Sequence, residues 1–365
     1  MEKTDCIVIG AGVVGLAVAR KLAQSDREVV ILEGADRIGT EASSRTGEVV
    51  HAGIHYPSGS LRARLCVEGR DMVYAYCQHQ GINHRMTGEM VTAGDRSQWK
   101  DLEKLMAQAL ANGILDVRLL DKGEAMTLEP GLACSGALIS PTTGIIDSHA
   151  LMKAFLADAV GAGAVLALNT PVLAGKITGH GIEISHGGSE TGTISCDALV
   201  NCSGIHAQQV AARLQGFDPV HVPDTFLCKG SYFITSKAPP ISRLVFSLPS
   251  GSVPGIHMSL DLAGQARFGP DSQWTNHIDY HVDPTRELFF ASGIKRYWPG
   301  LPDGALHPGF AGYFARTYGP ANPVADWIIQ GPDVHGVDGL VNLFGIDSPG
   351  LTACMAIAEE VVKML

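Results

Sequence analysis

Apolar residues first gather near the start of the chain, where Cys6-Ile-Val-Ile9 runs without a polar interruption. Four consecutive apolar positions read as a strand buried on both faces. Gly10, Gly12 and Gly15 follow, and a helix is predicted to begin near Val13. A second strand is predicted over Glu28 to Leu32, closed by Glu33. From Leu61 to Gln80 the apolar positions Leu61, Leu65, Val67, Met72, Val73 and Tyr76 take helical spacing, with charged residues between them. The block 86–145 changes character: Met86 to Ala93 reads as a strand, Trp99 to Asn112 as an amphipathic helix and Gly136 to Ser140 as another strand.

An Ala-rich helix is predicted over His149 to Ala162, then a short strand over Ala164 to Leu168. Val172 to Ile177 and Gly181 to Ser185 alternate like a meander. Cys196 to Asn201 is again a buried strand running into a glycine turn at Cys202-Ser203-Gly204, with helix over Ala207 to Leu214. Between 217 and 318, short β-like runs lie among Pro and Gly clusters: Phe226 to Thr235, Leu244 to Ser247, Gly255 to Leu260, Gln265 to Phe268 and Leu288 to Phe290. That pattern predicts a large antiparallel sheet. Leu340 to Gly345 closes as a strand, Ile346 to Gly350 as a turn and Leu351 to Met364 as a helix, with Ser348 at the N-cap and Pro349 in the first turn. The order predicts two interleaved domains: 1–85, 146–216 and 319–365 in one, 86–145 and 217–318 in the other.

Composition narrows the class. The 365 residues are 45% hydrophobic and 18% charged, as in a globular protein with large buried sheets. A net charge of −10 without a basic stripe excludes a nucleic-acid surface. No apolar run reaches the ~20 residues that span a bilayer. With a strand at residue 5, there is no room for a secretory signal. The eight cysteines are scattered without a C-x-x-C pair, so they read as reduced thiols of a cytoplasmic protein, and no metal site is expected.

The glycine turn carries the first chemistry. Gly10, Gly12 and Gly15 allow a tight turn, close approach to a pyrophosphate and close helix–strand packing. The helix N-terminus offers free N–H groups to phosphates, and Glu33 is placed to hold a ribose hydroxyl. These features predict an adenine dinucleotide, and the glycines alone serve NAD or FAD equally. Three separated strand–glycine–helix pieces must converge on one cofactor, which favours FAD. The helix N-terminus after Gly345 would then face the C2 carbonyl of the flavin and stabilise negative charge on the reduced ring.

The opening motif, Ser43-Ser44-Arg45, His51-Ala52-Gly53, Pro141 to Asp147, Asn201 to Gly204 and Gly345 to Thr352 resemble the FAD-dependent oxidoreductases of the D-amino-acid oxidase superfamily. Glu48 to Gly69, Asp261 to Asp271 and Gly345-Ile-Asp-Ser-Pro-Gly-Leu-Thr352 further resemble L-2-hydroxyglutarate oxidases and dehydrogenases. The resemblance covers essentially the whole chain. It implies a fold of α/β plus α+β class: a Rossmann-like, three-layer FAD domain of glutathione-reductase type, interleaved with an antiparallel-sheet substrate domain. The implied cofactor residues are Gly10, Gly12, Val13, Val14 and Gly15; Glu33 and Gly34; Thr40, Ser43, Ser44, Arg45, Thr46 and Glu48 in the polar loop; His51 and Val172; Cys202, Ser203 and Gly204; and Gly345, Ser348, Pro349, Gly350, Leu351 and Thr352. His51 stacks near the ring or is a covalent attachment point, and non-covalent binding is expected. One departure stands out: in Ala311-Gly-Tyr-Phe-Ala-Arg316 the arginine expected near Phe314, where the superfamily grips a carboxylate, is absent. Arg316 is its candidate replacement.

Oxidising a 2-hydroxy acid moves a hydride from C2 to flavin N5 while a base takes the hydroxyl proton, a task suited to histidine. Of 14 histidines, His55 in Gly53-Ile-His-Tyr-Pro57 and His257 in Gly255-Ile-His-Met258 are the candidates, the second placed mid-strand above the flavin. Carboxylates call for cationic or multi-donor anchors. Lys229, Tyr232, Arg267, Lys295 and Arg316 of the sheet domain are the candidates, with Tyr56 beside His55. Amine or amino-acid oxidation on the same scaffold and a non-catalytic flavin protein are the competing readings. The electron acceptor is oxygen or a quinone, and quinone use would bring at most peripheral membrane contact.

Overall fold

The structure is a computed structural model that describes residues 2–189, 191–250, 253–322 and 324–365. Its first sheet is built outward from the strand Glu2–Ile9. Val29–Leu32 and then Val165–Ala167 lie parallel on one side of it. Gly192–Asn201 and then Leu340–Phe344 lie parallel on the other, and Ile328–Gln330 is added antiparallel. The N-terminal half of Gly192–Asn201 also pairs with the meander Gly181–His186 and Val172–Thr178. One neighbour of the opening strand is therefore the next strand in the chain, and the other comes from a distant part of it.

The opening strand is apolar on both faces because both are covered. Cys6 and Val8 pack among helices Val13–Ala23, Leu61–Gln80, Ser148–Gly161 and Gly350–Lys363. Ile7 and Ile9 point the other way, against Ile182 and Ile184 of the meander and Ala207 and Val210 of the helix Ala207–Ala212. Alternate side chains of a strand face opposite sides, so this one strand holds three layers together.

The second sheet runs Gln273–Thr275, Phe226–Thr235, Ala266–Phe268, Met258–Leu260, Leu244–Ser247, Glu89–Ala93, Gly136–Ser140 and Arg118–Asp121. Leu306–Arg316 pairs antiparallel along Phe226–Thr235. Only Leu244–Ser247 against Glu89–Ala93 is parallel among the described pairs of this sheet. A small sheet of Val49–Val50, Gly144–Ile146 and His84–Arg85 lies where the chain passes between the two segments.

Three local expectations are corrected. Leu288 to Phe290 is not a strand but part of the helix Glu287–Ile294, which buries Phe290 and Ile294 one turn apart and leaves Leu288 79% exposed. An apolar triplet alone does not distinguish the two states. His257 sits just ahead of Met258–Leu260 rather than inside it, and its carbonyl accepts from the Gly269 N–H at 2.9 Å. Ser348 does not cap the closing helix: Pro349 is the N-cap residue, and the Ser348 hydroxyl turns instead to Tyr56 Oη at 3.2 Å and His51 Nε2 at 3.3 Å.

One close approach sets the spacing of the helical layer. A Cβ on Gly69, within Leu61–Gln80, would stand 2.5 Å from the Thr352 carbonyl oxygen and 2.7 Å from Ala353 Cα. That backbone belongs to the first turn of the closing helix, so the contact also holds the closing turn in place. Gly69→Ala is expected to destabilise the protein by about 1–3 kcal/mol through overpacking, read as a lower urea midpoint with weaker FAD retention. Gly161→Ala, where a Cβ meets open space, should leave the midpoint unchanged or raise it.

Candidate active site

Loops from both sheets enclose one cleft of about 850 Å³. At one end lies the glycine turn. Gly10 has φ +98°, and a Cβ there would stand 2.7 Å from the Cys202 carbonyl oxygen, so the first and second glycine turns meet backbone to backbone. The helix Val13–Ala23 starts with no side-chain cap from its own N-cap residue, Gly12. The Val13 N–H donates instead to Ser43 Oγ, 3.0 Å away across 30 residues of chain. Glu33 folds back over the turn and accepts from the Ala11 N–H at 2.7 Å and the Ala35 N–H at 2.9 Å. An acidic side chain, open amides and a helix N-terminus thus share one wall.

The other end is lined by His51, His55, His257, Phe246, Tyr56 and Tyr232. Phe246 organises the imidazoles. Its ring centroid lies 4.1 Å from that of His257 and 4.9 Å from that of His55, which is stacked on it, and His51 meets it edge-on at 6.1 Å. His55 Nε2 lies 3.1 Å from Oε1 of Glu89, which is 0% exposed. Burial and the neighbouring imidazoles push the conjugate acids of His51 and His257 down to about 3, so both rings are neutral near pH 7. Below them, Asp347 pairs with Arg62 at 2.8 Å and Arg316 at 3.4 Å. Burial pushes the Asp347 carboxyl up, and the two guanidiniums pull against that shift.

The family model described as DAO, FAD dependent oxidoreductase, matches residues 5–364. The chain belongs to this family. It is 40% identical over 402 residues to an L-2-hydroxyglutarate dehydrogenase, mitochondrial, from Arabidopsis thaliana, covering 99% of this chain and 83% of that one. It is 27% identical over 368 residues to a glycerol 3-phosphate dehydrogenase from Caloramator mitchellensis, covering 99% and 73%. Among solved structures it resembles the dithionite-reduced L-α-glycerophosphate oxidase of Mycoplasma pneumoniae with FAD bound, at TM-score 0.88 and 23% identity over 100% of this chain and 95% of that one. That likeness bears on the fold: a Rossmann-like FAD domain with a second, sheet-built domain.

The cofactor of this FAD-dependent oxidoreductase is FAD, and the cleft suits it. The backbone approach of Gly10 to Cys202 and the open start of Val13–Ala23 form a cradle that side chains would fill. Gly10, Gly12, Val13, Val14, Gly15, Glu33, Gly34, Thr40, Ser43, Arg45 and Thr46 line the cleft from the first turn through the polar loop. His51, Val172, Cys202, Ser203, Gly204, Ser348, Pro349, Gly350 and Leu351 line the remainder. Burial pushes the Cys202 thiol up, which keeps it a protonated packing group.

Four cofactor expectations fall off the lining. The Ser44 hydroxyl donates to the Gly39 carbonyl. Glu48 binds Arg267 at 2.9 Å and Ser148 Oγ at 2.8 Å, a tie between segments. Gly345 turns at φ +71° against Thr317. Thr352 Oγ1 accepts from the His51 N–H at 3.0 Å, behind the wall. The substrate candidates divide likewise. Tyr56, Tyr232 and Arg316 line the cleft. Lys229 donates to the His281 carbonyl at 2.5 Å, and Arg267 is held by Glu48 and Asp261. Lys295 pairs with Asp303 on the surface. Each of these three cations is captured by a nearer oxygen, so none reaches the cleft.

The sequence reading missed Phe246, Glu89 and Asp347. Phe246 looks like any apolar strand residue. Glu89 did leave a signal, as a lone acid inside the run Met86 to Ala93 that reads as a strand. The neutral imidazoles give a pH dependence whose sign is fixed. For His51 and His257 the folded value, about 3, lies below the ordinary 6.5, so the unfolded chain binds protons first as pH falls. Stability is fully present above about pH 6.5 and declines toward pH 3. Between pH 6.5 and 5 the loss is expected to be about 1–2 kcal/mol per histidine. Urea midpoints at the two pH values measure it, and a His51→Gln/His257→Gln variant should show a smaller drop.

Proposed function

We propose that this enzyme oxidises L-2-hydroxyglutarate, or a short 2-hydroxy acid of the same kind, to the 2-keto acid. The observation that carries the reading is the 40% identity, over 99% of the chain, to the Arabidopsis L-2-hydroxyglutarate dehydrogenase. The imidazole-lined end of the cleft supports it, because the reaction needs a proton acceptor beside the reacting carbon. FAD, when bound, supplies a two-electron sink for the hydride that leaves C2.

The chain's own residues bind and orient. Arg316 takes a substrate carboxylate in place of the arginine missing near Phe314. Its guanidinium lies 5.4 Å from the ring centroids of Trp274, Phe314 and Tyr318, and its Nε faces Asp347 Oδ2 at 3.4 Å, an ion pair longer than a good hydrogen bond. A fork held in place but not fully engaged is suited to an incoming carboxylate. Tyr56 and Tyr232 also line the cleft, and burial pushes both hydroxyls up so that they remain donors. The segments 1–85, 146–216 and 319–365 make the FAD domain, and 86–145 with 217–318 the substrate domain.

Electrons pass on to oxygen or a quinone. A cytoplasmic setting accords with the eight cysteines, all free. No helix among the described residues is long and apolar enough to cross a membrane, and quinone use would require only surface contact.

The test is an anaerobic titration of the FAD-loaded enzyme followed at the flavin absorbance band. L-2-hydroxyglutarate should bleach it, while glycine and D-amino acids leave it oxidised. Bleaching by amino acids but not by hydroxy acids would replace this reading with amine oxidation. Bleaching by neither would make the protein a non-catalytic flavin carrier.

A further inference from the structure

Glu89 lies in the strand Glu89–Ala93, between Leu244–Ser247 and Gly136–Ser140, with no solvent exposure. A carboxylate taken out of water costs several kcal/mol unless a partner compensates it. Among the described residues, His55 is the single basic group within salt-bridge distance of it. Its second oxygen, Oε2, has no hydrogen-bond partner among the described residues. This carboxylate therefore serves one imidazole, and that imidazole lines the cleft.

We propose that His55 accepts the substrate's hydroxyl proton, and that Glu89 is the positioning residue that orients His55 for it. The proposal rests on the reading of the cleft as a hydroxy-acid site. With Nε2–H given to Glu89 Oε1 at 3.1 Å, the ring is fixed as one tautomer and the Nδ1 lone pair remains for the cleft. Stacking on Phe246, at 4.9 Å and 21° between planes, holds the ring flat. The other two imidazoles lack an acidic partner. His51 Nε2 meets Ser348 Oγ, His51 Nδ1 is buried without a partner, and His257 makes no ring hydrogen bond among the described residues. An imidazole that gains a proton beside a carboxylate becomes one half of an ion pair, whereas His51 and His257 hold a proton poorly.

The step balances simply. The substrate O–H bond breaks and its proton passes to His55 Nδ1. The C2–H bond breaks with its electron pair, which leaves as hydride to bound FAD, and C2=O forms. The proton between His55 and Glu89 stays where it is. His257 borders the same space as a neutral ring that packs against Phe246.

Anaerobic stopped-flow reduction of the FAD-loaded enzyme by L-2-hydroxyglutarate tests the pair. His55→Asn and Glu89→Gln should each lower the limiting rate of flavin reduction by about 10²-fold or more, with half-saturation changed less than about 3-fold. The double variant should be no slower than His55→Asn alone, because the two residues act as one unit. Losses that multiply, a wild-type rate in Glu89→Gln, or a larger loss in His257→Asn would overturn the proposal. Ring ¹⁵N resonances of the FAD-loaded protein provide the readout that needs no turnover. His55 should be the Nε2–H tautomer in the wild type and lose that preference in Glu89→Gln; any other tautomer in the wild type sinks the pair. If the wild type is not bleached by L-2-hydroxyglutarate, the substrate reading fails, and the ¹⁵N result still judges the pair.

Discussion

Asp347 carries a carboxylate whose side chain is 6% exposed, and the geometry of the molecule converges on satisfying it. Arg62 reaches it from the start of one helix, Arg316 from the end of the longest strand of the second sheet, and the Trp327 indole N–H at 3.2 Å from a connecting segment. None of these groups can move away without leaving an uncompensated charge in a poorly solvated site, a loss of about 3–5 kcal/mol. Asp326 extends the cluster by accepting from the Leu61 and Arg62 N–H groups, where a helix N-terminus favours an anion. The turn that closes the cleft is thus tied by charge to both sheets.

That arrangement also decides how the cleft treats charge. Carboxylates at Glu48, Asp261, Asp303 and Asp347 neutralise most cations of the second sheet before a ligand arrives. The reactive end is left with imidazoles, tyrosine hydroxyls and the half-engaged Arg316. On the proposed function, such a wall would bind an anion through hydrogen bonds and one directional fork rather than through a broad positive field.

What the sequence disclosed depends on whether the cause was local. Leu61–Gln80, Gly136–Ser140, Phe226–Thr235 and Leu244–Ser247 were read to the residue, because period and punctuation determine them within a few positions. The glycine turn was legible for the same reason: its three glycines fall within six residues, although the backbone that crowds Gly10 is that of Cys202. Side-chain roles were less so. Lys229, Arg267 and Lys295 looked equivalent to Arg316 along the chain, and what separates them is the oxygen that each meets in space. Glu89 acquired its meaning from His55, 34 residues earlier in a loop. The helix Glu287–Ile294 was misread because its apolar triplet carries no period of its own.

The opening strand has a consequence for how the protein is made. On the ribosome, Glu2–Ile9 can pair with Val29–Leu32 soon after both are made, yet its other flank must wait for Gly192–Asn201. The helix Val13–Ala23 waits longer still, for Gly350–Lys363 to cover it. Before Gly192–Asn201 is made, Gly136–Ser140 can pair with Glu89–Ala93 and Arg118–Asp121, whose positions are near in sequence, while one edge of the opening strand stays unpaired. Parallel pairing over such separations is slow to form and exposes apolar edges meanwhile. The cleft is complete only once Cys202–Gly204 and Ser348–Leu351, which line it, have followed the two late strands into place.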